Sequence, residues 1–337
     1  MFQLLLGVIY LAFISLGLPD SLLGSAWPIM YKEFSVPLSS VGIITIIIAL
    51  GTIVSSLQSD RLTKKIGTGK VTLFSVLMTA VALFGFSISN SFISLCLWAI
   101  PYGLGAGSVD ASLNNYVALN YKSRHMSWLH CMWGVGASIG PYIMGYALTG
   151  GQTWNDEFKI ISIIQMVLTC ILLLSLPLWK KQNNKTDENK VEEVSAPLTL
   201  KQIIRLPGAK AVMITFFCYC ALEMTTGLWA SSYLVLHWGV HPETAASFAS
   251  LFYVGITVGR AFSGFLTMKF NDAQMIRMGQ MIIGVGIIAL LLPLGETVAL
   301  GGFILIGLGC APVYPSIIHS TPDHFGKDKW LLQLCGG

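Results

Sequence analysis

Ten stretches of this chain, near 2–30, 38–58, 70–89, 91–120, 126–149, 158–179, 211–236, 243–268, 273–294 and 297–319, run for about twenty residues or more with almost no charge. A helix of roughly 20 apolar residues crosses the hydrocarbon of a bilayer, and inside lipid only a helix or a closed barrel satisfies its own backbone. The chain is therefore expected to be an all-helical polytopic membrane protein of about ten spans. With 54% hydrophobic and only 11% charged residues it has too little polar surface for a water-soluble domain. No small-residue cleavage site follows the first run, so Met1 onward reads as the first span. Several runs exceed one crossing, and Pro19, Pro28 and Pro101 are expected break points.

Orientation is read from the basic residues. The connections at 59–70, 120–125, 180–210 and 269–277, together with the tail after 320, hold 17 of the 20 Lys and Arg. The opposite connections hold only Lys32 and Lys159, and Arg260 lies inside a span. The positive-inside rule makes the first set cytoplasmic and places the N-terminus inside a plasma or inner membrane.

No nucleotide-binding cassette, nucleophile triad, metal cluster or nucleic-acid patch is visible, and no enzyme activity or cofactor is expected. Six of the seven cysteines lie in apolar runs, and the Cys218-x-Cys220 pair points in two directions on a helix, which fits packing better than metal binding. The polar stretch 181–210 is expected to be a cytoplasmic linker, with LTLKQIIRL as a short surface helix. It separates a six-helix transmembrane half, 1–180, from a second half, 211–320; residues 321–337 form a short tail.

The halves repeat. Asp20, Gly24 and Trp27 return as Glu223, Gly227 and Trp229, with an offset of 203 for the acid and the glycine. GTIVS from Gly51 returns as GITVG from Gly255, and GLGAG from Gly103 returns as GLGCA from Gly307, both at an offset of 204. One register across three helix pairs indicates a duplicated unit. Six spans bring the chain back to its starting side, so the halves are parallel repeats, the arrangement of major facilitator transporters. By the same arithmetic a partner for the fifth helix would begin near residue 330, and the sequence ends at Gly337. The expectation is a twelve-helix plan lacking its last two helices.

Carboxylates at membrane depth are the next constraint, because an ionised side chain in hydrocarbon costs several kcal/mol. Loss of hydration favours the neutral form, so such a group takes up a proton near neutrality and releases it when water arrives. Asp20 and Asp110 are placed for this, and Asp110 shares one helix face with Asn114 four residues on. Either acid could instead cap a broken helix or bond a neighbouring one.

LPDSLLGSAWP, YGLGAGSVDASLNNYV, HCMWGVGASIGP, YCALEMTTGLW, GITVGRAFSG and GLGCAPVYPSIIH together resemble the fucose:H+ symporter branch of the major facilitator superfamily. SDRLTKKIG at 59–67 resembles the superfamily's helix 2–3 signature, although Ser56 and Thr63 stand where glycines are usual. The resemblance implies cation-coupled uptake of a hexose or related sugar by alternating access. It implies proton coupling and sugar binding at Asp20 and Asp110, and a matching helix 7 acid at Glu223.

Beside these, Asn114, His130, Trp133, Trp229 and Tyr314 are expected sugar contacts, the indoles through the C–H faces of the ring. Trp27 is evenly balanced between cavity and membrane interface, and Trp154, Trp179 and Trp238 read as interfacial belt residues. Glu223 could bind sugar, hold a cation or pair with Arg260. Asp60, Arg61 and Arg260 read as gate or interhelix salt-bridge residues. The expected partners are a sugar, H+ or Na+ and the lipid bilayer, with no nucleic acid, and the expected state is a monomer. An efflux antiporter of the same superfamily is one rival reading; a non-transporting sugar sensor or an inactive remnant is the other.

Overall fold

The computed structural model describes residues 2–121, 123–186, 205–267 and 269–325. Its helices are α1 (Phe2–Asp20), α2 (Leu22–Glu33), α3 (Val41–Ile66), α4 (Thr68–Ser87), α5 (Phe92–Asn120), α6 (Ser123–Thr149), α7 (Trp154–Thr186), α8 (Ala209–Trp238), α9 (Pro242–Leu266), α10 (Asp272–Leu291) and α11 (Glu296–Phe325). Each apolar run lies on a helix or, for the first, on the pair α1 and α2. Among the described residues nine spans are long and apolar enough to cross a membrane. The fifth expected span, α6, is helical but outside that set, because His125, His130, Ser138 and several glycines dilute its apolar residues. Residues 187–204, with most of the linker and of LTLKQIIRL, lie outside the described residues, as does the end of the tail from 326.

The first span breaks at Ser21, two residues beyond Pro19. Proline has no N–H to donate to the carbonyl four residues back. That carbonyl belongs to Ser15, and Gln165 Nε2 of α7 donates to it at 2.8 Å. The same Gln165 accepts from Thr79 Oγ1 of α4 at 2.6 Å, so its amide ties three helices together in the interior. Pro28 and Pro101, expected to break their spans, lie inside continuous helices. Gly67, with φ +86°, is the single residue between α3 and α4. Only glycine adopts that conformation without strain.

Two compact units are present. One comprises Met1–Thr186 and Leu228–Ser250; the other contains Leu251–Gly336 and the segment ending at Gly227, so α8 and α9 each belong partly to both. In the first unit Leu22, Trp27, Met30, Ile44, Leu83, Phe86 and Leu95 form one buried cluster. Ile9, Phe13, Leu113, Leu129 and Trp179 belong to a second. Trp27 is fully buried and its Nε1 donates to Leu38 O at 2.7 Å, which makes it a structural anchor. Trp154 and Trp179, expected at the lipid interface, are also enclosed. Trp154 Nε1 donates to Glu33 Oε2 at 2.6 Å, and Trp179 packs on Tyr116 with centroids 4.9 Å apart. An indole with a polar partner inside the bundle gains contact on both faces, which an interfacial position does not offer.

The sequence repeat reappears as a repeated crossing. In the first unit a Cβ on Gly103 of α5 would collide with Ile48 O of α3, and one on Gly51 would press on Gly103 and Leu104. In the second unit a Cβ on Gly307 of α11 would collide with Phe252 O of α9, and one on Gly255 would collide with Ile304 O and press on Gly307 and Leu308. Apart from the Ile304 contact, every pair is displaced by 204 residues. Without a hydrophobic force between helices in lipid, such close backbone approach supplies the packing. Hydroxyls extend the α3–α5 contact: Thr52, Ser56 and Ser59 donate to the carbonyls of Gly103, Gly107 and Ser108, and Thr63 Oγ1 lies 3.4 Å from Ser112 Oγ. Ser56 and Thr63 therefore hold by hydrogen bonds a crossing where glycine was the usual residue.

Candidate functional site

Asp20 ends α1 at the break, and the break turns its carboxylate away from the closed packing around Ser15–Pro19. Its side chain is exposed while its neighbours on both sides are buried, so it faces open space. Tyr102 OH of α5 donates to Oδ1 at 3.0 Å, and Trp133 Nε1 of α6 donates to Oδ2 at 2.8 Å. Two neutral donors on two helices thus fix both oxygens. Trp133 was expected to face a sugar; what the structure shows is its indole N–H on the acid.

Asp110 lies two turns along α5 from Tyr102. Asn114 Nδ2 donates to Asp110 Oδ1 at 3.1 Å, so the i, i+4 pair is a bonded one. Asn114 Oδ1 is buried and has no hydrogen-bond partner among the described residues. Asp20 and Asp110 belong to the same unit, and the charge of Asp20 is among those that act on Asp110. A carboxylate there presents an acceptor for a hydroxyl donor. His130, one turn from Trp133 on α6, meets the edge of Phe13 with centroids 5.9 Å apart. Tyr102 was not among the expected residues; its place eight residues before Asp110 on the same helix is the signal that could have found it.

In the second unit Glu223 Oε1 of α8 lies 3.7 Å from Arg260 Nη2 of α9, with side chains 17% and 8% exposed. Tyr219, one turn from Glu223, shares an aromatic group with Phe216 and Tyr314. Glu223, Arg260 and Tyr314 therefore gather in that unit. Trp229 belongs to the first unit, beside Leu38, Tyr233 and His237. Asp60 pairs with Lys64 of its own helix at 2.7 Å, and Arg61 is exposed. Among the described residues no group of three or more His, Cys, Asp or Glu could hold a metal ion.

Nine helices long and apolar enough to cross a membrane among the described residues, with carboxylates set within several of them, define a class, the polytopic membrane proteins. Residues 9–329 match the model of the Major Facilitator Superfamily, and the chain belongs to that superfamily of transporters. It is 26% identical over 288 residues to Bypass of stop codon protein 6 of Saccharomyces cerevisiae, a match covering 78% of this chain and 56% of that protein. The chain thus spans little more than half the length of that yeast relative. It is 20% identical over 314 residues to the glucose/mannose transporter GlcP of Bacillus subtilis, covering 91% of this chain and 77% of that one. The fold matches that of the nucleoside transporter NupG with a TM-score of 0.71 at 13% identity, over 98% of this chain and 84% of that one.

Proposed function

We propose that the chain is a secondary active transporter of the fucose:H+ symporter type, coupling uptake of a hexose or related sugar to a cation, H+ in the first instance. The observation that carries this reading is the Asp20 carboxylate, exposed to open space yet bonded to Tyr102 and Trp133, with Asp110 and the unpartnered Asn114 Oδ1 beside it. Asp20 and Asp110 take the proton, and in the first unit Asp20, Asp110, Asn114, His130 and Trp133 are the sugar-binding residues; in the second unit, taken by itself, Glu223 and Tyr314 are the residues proposed to bind sugar. Sugar hydroxyls and a proton sharing one carboxylate pair gives linkage: binding of each changes the affinity for the other by the same factor. Arg260 neutralises Glu223 when no sugar is bound, and Asp60 and Arg61 belong to the cytoplasmic ends. The two halves, 1–180 and 211–320, act as parallel repeats in the plasma membrane with the N-terminus inside, and the unit is a monomer.

GlcP, with glucose and mannose in its name, supports the sugar as solute; NupG is named for nucleosides, so the solute is the finer part of the proposal. Reconstitution into vesicles, with an imposed pH or Na+ gradient and a panel of labelled hexoses, tests it. Inward sugar accumulation that collapses with a protonophore is the expected result. Accumulation driven by Na+ alone would move the coupling to that ion. Gradient-driven expulsion would favour the antiporter reading, and binding without flux the sensor.

A further inference from the structure

Pro19 leaves the Ser15 carbonyl without its usual helical donor, and the donor that replaces it comes from another helix. Gln165 Nε2 of α7 donates to Ser15 O at 2.8 Å. A carbonyl only accepts, so the amide nitrogen must face it and Oε1 must point elsewhere. Thr79 Oγ1 of α4 donates to that oxygen at 2.6 Å, which fixes the amide from its other end. Ser15, Thr79 and Gln165 are 5%, 3% and 1% exposed, so water does not compete for these bonds. All three residues belong to the first unit, with Asp20, Tyr102 and Trp133.

Helix α6 packs against the same turn. A Cβ on Gly17 would collide with Trp133 O, and one on Gly136 would collide with Ile14 O, so the two backbones touch just before the break. Trp133 therefore lies with its own carbonyl against Gly17 while its indole bonds Asp20, three residues further on. That bond depends on the course the chain takes from Gly17 through Pro19 to Asp20. The α6 backbone and the Gln165 amide both hold α1 at the start of that course.

We propose that Gln165 is a positioning residue for the acid site: its amide stands in for the backbone N–H that Pro19 lacks, and so holds the kink that delivers the Asp20 carboxylate to the Trp133 indole. A glutamine in the apolar run IISIIQMVLTCILLL bonds a neighbouring helix in any case, and here the carbonyl it chooses is the one the kink sets free. With the amide gone, a buried carbonyl is left unpaired, a cost relieved by moving the turn until Ser15 O finds another donor. Asp20 directly follows Pro19 and moves with it. Gln165 itself touches neither sugar nor proton. Its part in transport rests on the carrier reading of Asp20, but the positioning is measured without flux.

The full chain, carrying isotope-labelled tryptophan, is placed in lipid nanodiscs, and the indole N–H signals of Trp133 and Trp154 are assigned by NMR from Trp133→Phe and Trp154→Phe. Gln165→Met keeps the length of the side chain and removes the donor. It is expected to move the Trp133 signal and to quicken hydrogen exchange at its Nε1 about ten-fold, as for loss of one hydrogen bond to a charged acceptor. The Trp154 signal, from an indole bonded to Glu33 three turns earlier on α7, should stay in place. Thr79→Val leaves the donor but frees the amide to turn, and should act in the same direction at smaller size. In vesicles, the pH profile of sugar uptake should shift in Gln165→Met. Equal movement of both indoles would make Gln165 a purely structural tie and overturns the proposal, as does a Trp133 signal unmoved in both variants. A moved Trp133 signal with an unshifted pH profile in a transporting chain overturns the role in transport. The expected indole pattern in a chain that shows no sugar flux would remove the carrier reading and leave the positioning of Asp20 by Gln165 standing.

Discussion

Asp20 is bonded by a phenol and an indole, and neither donor carries charge. Asp20→Asn keeps the size and offers one oxygen, but its NH2 must then face one of the two donors. Sugar-driven proton uptake in vesicles is expected to vanish, with membrane insertion and expression unchanged; unchanged coupling would remove the acid from the mechanism. Tyr102→Phe deletes one donor and should alter the pH profile of uptake while the maximal rate survives, because Trp133 still holds the other oxygen. Glu157 presents the opposite case. It is fully buried in the first turn of α7, and neither carboxylate oxygen has a hydrogen-bond partner among the described residues. Replacing a costly buried acid by an apolar group of similar volume is often stabilising. Glu157→Leu is expected to raise the Tm in detergent by roughly 2 °C or more.

At the scale of elements, the glycine crossings divide the glycines into two kinds. Gly103→Ala and Gly307→Ala put a methyl group into a facing carbonyl and should each lower the Tm, by similar amounts because the crossings are equivalent. Gly284, with nothing near its missing Cβ, is the control: Gly284→Ala should leave the Tm unchanged or raise it, as alanine favours a helix by roughly 1 kcal/mol over glycine. Thermal unfolding of the three variants checks this directly. Helix positions and the 204-residue register were legible because apolar length and small residues are local signals. Asp110 and Asn114 were legible as a pair because i, i+4 spacing places them together. Tyr102 was not, since a phenol in a span looks like packing until its partners are known. Trp154 and Trp179 misled for the same reason: an indole reads alike at an interface and in a core, and only Glu33 and Tyr116 decide it. Pro28 and Pro101 show that proline lowers the odds of a helix without forbidding it.

For the whole molecule, the charge asymmetry of the connections fixes a testable sidedness. In a cysteine-free background, Gly151→Cys should react with a membrane-impermeant maleimide added to intact cells, and Lys65→Cys only after permeabilisation. The reverse pattern would invert the proposed orientation. The duplicated register has a further meaning at this scale, since each half carries its own glycine crossing and needs no contact from the other to bring those helices together.

Asp20, Tyr102 and Trp133 all belong to one compact unit. In the proposed cycle a motion that carries Met1–Thr186 as a body would leave both hydrogen bonds intact, and it would act on the proposed proton site by changing the wetting of the carboxylate. The chemical clock of the cycle would then be the arrival and departure of a few water molecules, and exchange of heavy water into the site, measured at fixed gradient, would run at the pace of transport.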